Sequence, residues 1–134
     1  ITATETQLLN FGKIIPNAEG GSVVITPQGE RRVTGNITLV DEDYSAGKFV
    51  VSGMPNSLFT VQLPNTAQRL VYTGGETELL VDDFQSDVPA EGRTIRGNDG
   101  KAEVTIGARL ILSSGLIIPS GYYAGSYELI FLYN

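Results

Sequence analysis

Ala102-Glu-Val-Thr-Ile-Gly-Ala-Arg-Leu-Ile-Leu112 is the stretch whose reading decides the fold. Val104, Ile106, Ala108, Leu110 and Leu112 occupy every second position, with Thr105 and Arg109 between them. Side chains two apart share one face of an extended chain, so the run predicts a strand with one face in a core. A helix would need apolar residues at i, i+3, i+4 and i+7, and no window of the chain offers that spacing free of glycine, proline or β-branched residues.

The same period of two recurs outward from this stretch. Phe59, Val61 and Leu63 alternate with Thr60 and Gln62, and Phe49 with Val51, and Leu80 with Phe84, are further core candidates. Strand patterns cover Thr2 to Leu9, Ser22 to Thr26, Arg32 to Val40, Lys48 to Ser52, Leu58 to Leu63, Arg69 to Thr73, Glu78 to Phe84, Ala102 to Leu112 and Ser126 to Tyr133. Gly20-Gly21, Gly74-Gly75 and Asn98-Asp-Gly100 mark tight turns, and Pro16-Asn17, Pro27-Gln-Gly29 and Pro55-Asn56 mark reversals. Short strands at this spacing predict an all-β fold: an immunoglobulin-like antiparallel β-sandwich of about seven to nine strands, with a closed barrel as the competing architecture.

Composition narrows the chemistry. At 134 residues, residues 1–134 are expected to form one domain large enough to hold a core without staples. With no cysteine there is no disulfide framework and no thiolate metal site. With no histidine the commonest general base, the usual zinc ligand and every imidazole-dependent triad are gone, so an enzyme is not expected. A net charge of −6, with no basic cluster beyond Arg31-Arg32, argues against nucleic acid as a partner. Those two arginines point to opposite faces and read as charges guarding a strand edge. No apolar run approaches the roughly 20 residues of a membrane-spanning helix. The chain begins at Ile1 without methionine, a basic leader or an apolar leader, which fits either a processed, exported protein or a trimmed chain, and export is the expectation.

The last ten residues, Gly125-Ser-Tyr-Glu-Leu-Ile-Phe-Leu-Tyr-Asn134, form a strand pattern with a tyrosine next to last. Tyr127, Leu129, Phe131 and Tyr133 alternate with Glu128, Ile130 and Leu132, so the middle of the strand is apolar on both faces. That pattern predicts burial from two sides, by the chain's own strands or by a strand from elsewhere.

Three stretches in order carry a resemblance. They are Leu9-Asn-Phe-Gly12 with Ile14-Ile-Pro16; Gly47-Lys-Phe-Val-Val-Ser-Gly53 with Pro55 and Phe59-Thr-Val61; and Ile106-Gly-Ala-Arg-Leu110, Pro119-Ser-Gly121 and Ala124-Gly-Ser-Tyr127 through Asn134. Together they resemble a family of exported bacterial β-sandwich domains of unknown function, similar to spore coat protein U domains and chaperone-usher pilins. The resemblance implies a structural subunit at the bacterial cell surface, in a fimbrium or coat. It implies an immunoglobulin-like fold completed by a donor strand, first from a periplasmic chaperone and then from a neighbouring copy or related subunit. Tyr133 matches the penultimate tyrosine of the pilin C-terminal strand. The edge it implies for strand addition comprises Tyr127, Leu129, Ile130, Phe131, Leu132 and Tyr133. A pilin donor segment is an alternating strand ahead of the first domain strand, whereas only Ile1 to Thr6 precede the Leu8-to-Gly12 motif here. Removal of the donor, a donor as short as Ile1-Thr-Ala-Thr4, and another mode of association all remain open.

Other candidates are few. Asp41, Asp43 and Asp82 offer oxygen ligands for calcium, but not at the spacing of a known ligand loop, and solvated turn charges are the plainer reading. Tyr122 and Tyr123 could stack on a sugar, or one ring could pack over the end of the sandwich. Leu116-Ile-Ile118 reads as loop packing or as part of an apolar groove. No catalytic residue and no cofactor is expected. The alternative function is a monomeric surface adhesin or carbohydrate-binding module. It would pair the N-terminal strand with the last one and bind ligand through the loops near Asp41 to Tyr44 or Tyr122-Tyr123.

Overall fold

A computed structural model describes residues 1–12, 14–15, 20–35, 37–39, 44–72, 78–112, 123–124 and 127–133. They form β1 (Thr2–Gln7), β2 (Ile14–Ile15), β3 (Gly21–Ile25), β4 (Arg31–Gly35), β5 (Thr38–Leu39), β6 (Gly47–Ser52) and β7 (Leu58–Gln62). After these come β8 (Gln68–Tyr72), β9 (Glu78–Ser86), β10 (Arg93–Thr94), β11 (Lys101–Leu112), β12 (Tyr123–Ala124) and β13 (Ile130–Tyr133). Each expected strand is present. The additional pieces are two residues long, and the expected Arg32-to-Val40 strand divides into β4 and β5, which join different sheets.

β11 organises the larger sheet. One edge pairs with β9, and the other is shared end to end by β6, opposite Lys101 to Ile106, and β3, opposite Ala108 to Leu112. β1 extends the sheet beyond β6, β4 beyond β3, and β8 and β12 beyond β9, giving eight strands. A second sheet orders β10, β7 and β13, and β2 pairs with β5 separately. Every pairing is antiparallel. This is an all-β antiparallel sandwich with open sheet edges among the described residues, and not a closed barrel.

The core lies between these sheets. Ala102, Val104, Ile106, Ala108, Leu110 and Leu112 are all buried, as their alternation requires. Across from them, Phe59 and Ile95 are fully buried, and Val23, Ile25 and Val51 complete the centre. Val61, Leu63 and Phe49 pack on its margin.

β9 departs from the expected phase. Leu80 is 43% exposed, while Leu79 and Val81 are buried, yet Phe84 is buried as expected. The cause is a β-bulge: pairing with β11 runs from Gln85↔Gly107 to Asp82↔Arg109, so Asp83 and Phe84 together face one residue, Ala108. Asp83 takes a left-handed backbone, φ 51°, which turns Phe84 into the core against the parity of Leu79 and Val81.

Beside the bulge, Arg109 donates to both carboxylate oxygens of Asp82, Nε and Nη2 each at 2.8 Å. The guanidinium bond holds the Asp82 carboxyl below its ordinary value of 3.8. A depressed carboxyl contributes stability above its unfolded value and loses it as pH falls through the lower folded value. Because the pair is partly exposed, a double-mutant cycle of Asp82→Asn and Arg109→Leu should give a small favourable coupling at neutral pH. The coupling should vanish as the medium is acidified below the ordinary carboxylate range.

Candidate functional site

The C-terminal strand lies at an edge. β13 pairs along one side with β7, Ile130↔Gln62 through Tyr133↔Phe59, and no described strand pairs along its other side. It begins at Ile130, with Tyr127 to Leu129 outside it, because β7 ends at Gln62 ahead of Pro64 and offers those three residues no strand to pair with. Burial from two sides is not observed. Ile130 and Leu132 are 44% and 42% exposed on the outer face, beside Leu58 of β7 at 43%. Register places Leu132 opposite Thr60 and Ile130 opposite Gln62 on that face.

The other face fastens the segment to the core. Phe131 contacts Phe59 and Phe49, with ring centroids 6.5 and 6.1 Å apart. Tyr127 bridges Phe49 at 6.5 Å and Phe84 at 5.3 Å, and Leu129 packs beside them. These rings join the two sheets, so the residues that border the free edge are also an integral part of the core.

Tyr133 closes the chain end. Its hydroxyl accepts a hydrogen bond from the Met54 N–H at 2.9 Å, and its ring occupies the space over Gly53. A Cβ on Gly53 would lie 2.6 Å from the Tyr133 hydroxyl and 2.9 Å from Ile95 Cδ1. The absence of a side chain at Gly53 is what admits the ring. Sequence reasoning missed this contact, for which the only local signal is a glycine before Met54-Pro55.

Tyr127 has a different environment. Its hydroxyl is buried with no hydrogen-bond partner among the described residues. Burial, and secondarily the negative charge of Glu5, push its pKa from 10.0 up to about 12. A group whose folded pKa is raised contributes stability below its unfolded value and loses it as pH rises through the folded one. Stability should therefore fall between about pH 10 and 12, and Tyr127→Phe should flatten that decline in alkaline denaturation curves. At neutral pH the same variant should keep its stability or gain up to about 1 kcal/mol, since it deletes an unpaired buried hydroxyl. A larger loss would show that the hydroxyl makes a bond that matters.

The remaining sequence candidates do not converge on this edge. Asp82 is engaged by Arg109, and Asp41 and Asp43 lie outside the described residues. Among the described residues no group of acidic side chains gathers in a metal-ligating arrangement. Tyr122 lies outside the described residues, as does Leu116-Ile-Ile118; Tyr123 pairs through its backbone with Tyr72, and its side chain is not described. Asn98-Asp-Gly100 forms a tight turn, but it carries the chain from the small sheet to the large one and does not join a hairpin. Arg31 and Arg32 do begin an edge strand and diverge: Arg32 meets Glu30 at 2.9 Å, while Arg31 covers the Tyr44 ring. The N-terminal strand β1 pairs with β6 and not with β13, contrary to the pairing expected of a self-closed adhesin. No described helix is long and apolar enough to cross a membrane.

No curated protein and no solved structure matches the chain. A family model does match, over residues 1–133. The chain thus belongs to the family described as Domain of unknown function (DUF4402).

Proposed function

We propose that this chain is an exported, non-enzymatic structural subunit of a bacterial surface appendage or coat. It associates with neighbouring copies or related subunits by β-strand addition along the free edge of β13. A periplasmic chaperone strand would cover the same edge before assembly, in the manner of the pilin-like domains the sequence resembles.

One observation supports this reading above the others: among the described edge strands longer than two residues, β1 and β4 carry polar or charged side chains and β13 does not. Proteins blunt exposed edges with charge, proline or polar side chains to prevent stray pairing. β1 reads Thr-Ala-Thr-Glu-Thr-Gln, β4 opens with Arg31-Arg32, and β10 is Arg93-Thr94. β13 is Ile-Phe-Leu-Tyr, with no charge and no proline. Strand addition there would satisfy the free backbone groups, and the added chain could extend over Ile130 and Leu132.

The test uses the protein expressed from its full gene. Analytical ultracentrifugation from micromolar to millimolar concentration should show association, and hydrogen exchange should show β13 amides becoming protected as it proceeds. Ile130→Lys with Leu132→Lys, both on the exposed face, should abolish association while leaving the fold intact. A wild-type chain that stays monomeric throughout, with β13 exchange independent of concentration, overturns the proposal.

A further inference from the structure

Along one edge of β11 the neighbouring strand changes at Gly107: Ile106 pairs with Gly47 of β6, and Ala108 with Ile25 of β3. At this seam the backbone leaving β3 crosses directly over Gly107, where a Cβ would lie 2.7 Å from the Thr26 carbonyl carbon and 2.8 Å from the Pro27 nitrogen. Next to the crossing is a cleft of about 500 Å³. That volume falls within the roughly 300–1,000 Å³ typical of small-ligand sites.

Register lines the floor of the cleft. Lys48 stands opposite Gln7 on β1 and opposite Thr105 on β11, so three polar side chains form a row across three strands. Asp87 continues the row, accepting the Thr105 N–H on Oδ1 at 2.9 Å. Tyr44 and Gln28 complete the lining from two loops.

These walls are held in place. The Arg31 guanidinium lies 4.1 Å from the centre of the Tyr44 ring and donates to the Phe11 carbonyl at 3.1 Å. Ser45 and Asn10 exchange two backbone hydrogen bonds of 2.8 Å. The turn bearing Gln28 is closed by the Gly29 N–H on the Thr26 carbonyl at 2.9 Å and by the Glu30 N–H on Thr26 Oγ1 at 3.1 Å. A preformed cleft loses little ordering entropy when it binds.

Its chemistry selects a ligand. The Asp87 carboxylate is matched by Arg93 at 3.1 Å. The Lys48 ammonium has no hydrogen bond or ion pair among the described residues, nor do the Gln7 and Gln28 amides. The cleft therefore offers one uncompensated positive charge, two free amides that both donate and accept, and an aromatic ring. Its complement is a polyhydroxylated ring that carries a carboxylate.

We infer that this cleft binds an acidic saccharide unit of the hexuronate type. The carboxylate meets Lys48, the hydroxyls meet Gln7 and Gln28, and the C–H face of the sugar lies against Tyr44. The inference is independent of strand addition at β13, because the cleft is on the larger sheet and is complete in one chain.

The test is an ¹⁵N chemical-shift titration with free glucuronate and, separately, glucose. Glucuronate should shift the amides of Gln7, Gln28, Lys48 and Thr105, and glucose should bind about tenfold more weakly, as expected from loss of one charge-assisted hydrogen bond. Lys48→Met should reduce glucuronate affinity to the level of glucose with an unchanged melting temperature. Shifts absent from the cleft, equal affinity for the two sugars, or a Lys48→Met protein that retains wild-type affinity would each overturn the inference.

Discussion

Truncation of the chain after Gly125 is expected to leave a protein that does not fold alone. Tyr127, Leu129 and Phe131 all pack against the core, and their loss opens one side of the fully buried Phe59. Full burial of a large apolar side chain contributes about 1.5–3 kcal/mol, so these three partly buried residues together contribute about 4–5 kcal/mol. That is comparable with the lower end of the whole stability of an ordinary domain, about 5–15 kcal/mol. Circular dichroism and urea titration should show no cooperative transition in the truncated chain. A synthetic peptide of residues 126–134 added in trans should restore the transition, because β13 makes its pairs with β7 and needs no covalent link to do so. An unchanged melting transition in the truncated chain would refute the role assigned to this segment. Restoration by the peptide would also show directly that a strand supplied from outside completes the small sheet, the chemistry on which strand addition depends.

Gly107→Ala should produce the second large effect, by a different mechanism. A methyl group there would overlap the Ile25 carbonyl oxygen and come within 2.8 Å of two further backbone atoms. Those atoms belong to the crossing between β3 and its turn, so no side-chain rotation relieves the overlap. The expected cost is about 3 kcal/mol, at the upper end for overpacking, measured as a lower urea midpoint with an unchanged slope. Val24→Ala, on the half-buried outer side of β3, serves as the comparison and should lose less than about 1.5 kcal/mol. A Gly107→Ala protein as stable as that comparison would show that the crossing can shift, and the seam would then be softer than its geometry implies. Displacement of the same crossing should also disturb the cleft beside it, which would link stability and sugar binding at one residue.

Two of the described edges, β1 and β13, differ in what their sequences advertise. β1 is paired over its length with β6, yet Thr2 through Thr6 are all exposed and contribute little burial. β13 is short, but its inward residues tie both sheets together. A strand held chiefly by backbone hydrogen bonds is easily displaced, whereas a strand anchored by aromatic rings defines a fixed edge. The fixed, apolar edge is thus the better template for another chain, and the polar strand is the better guard.

Much of the fold was legible because one physical rule, the alternation of side chains across a strand, operates locally. Val104 through Leu112 announced a long half-buried strand, Phe59 its counterpart, and the turn residues the boundaries between them. The rule failed at Leu80, where the bulge at Asp83 reverses parity: Asp82-Asp83 carries no sign of it until β11 supplies a single residue, Ala108, against two. It failed again at the C-terminus, where apolar residues on both faces predicted burial from two sides, although among the described residues only β7 pairs with β13.

By itself, then, the sequence determined the all-β class, the positions of the longer strands and the absence of imidazole and thiol chemistry, since each follows from residue type and local spacing. Tertiary structure alone decided that β6 and β3 share one edge of β11, that Gly53 makes room for Tyr133, and that Gln7, Lys48 and Thr105 fall in one row. It also decided that, among the described residues, β13 ends the small sheet with a free side. These are consequences of which distant segments pair and in what register, and register is set by the sum of contacts across the whole core, which no single stretch of sequence contains.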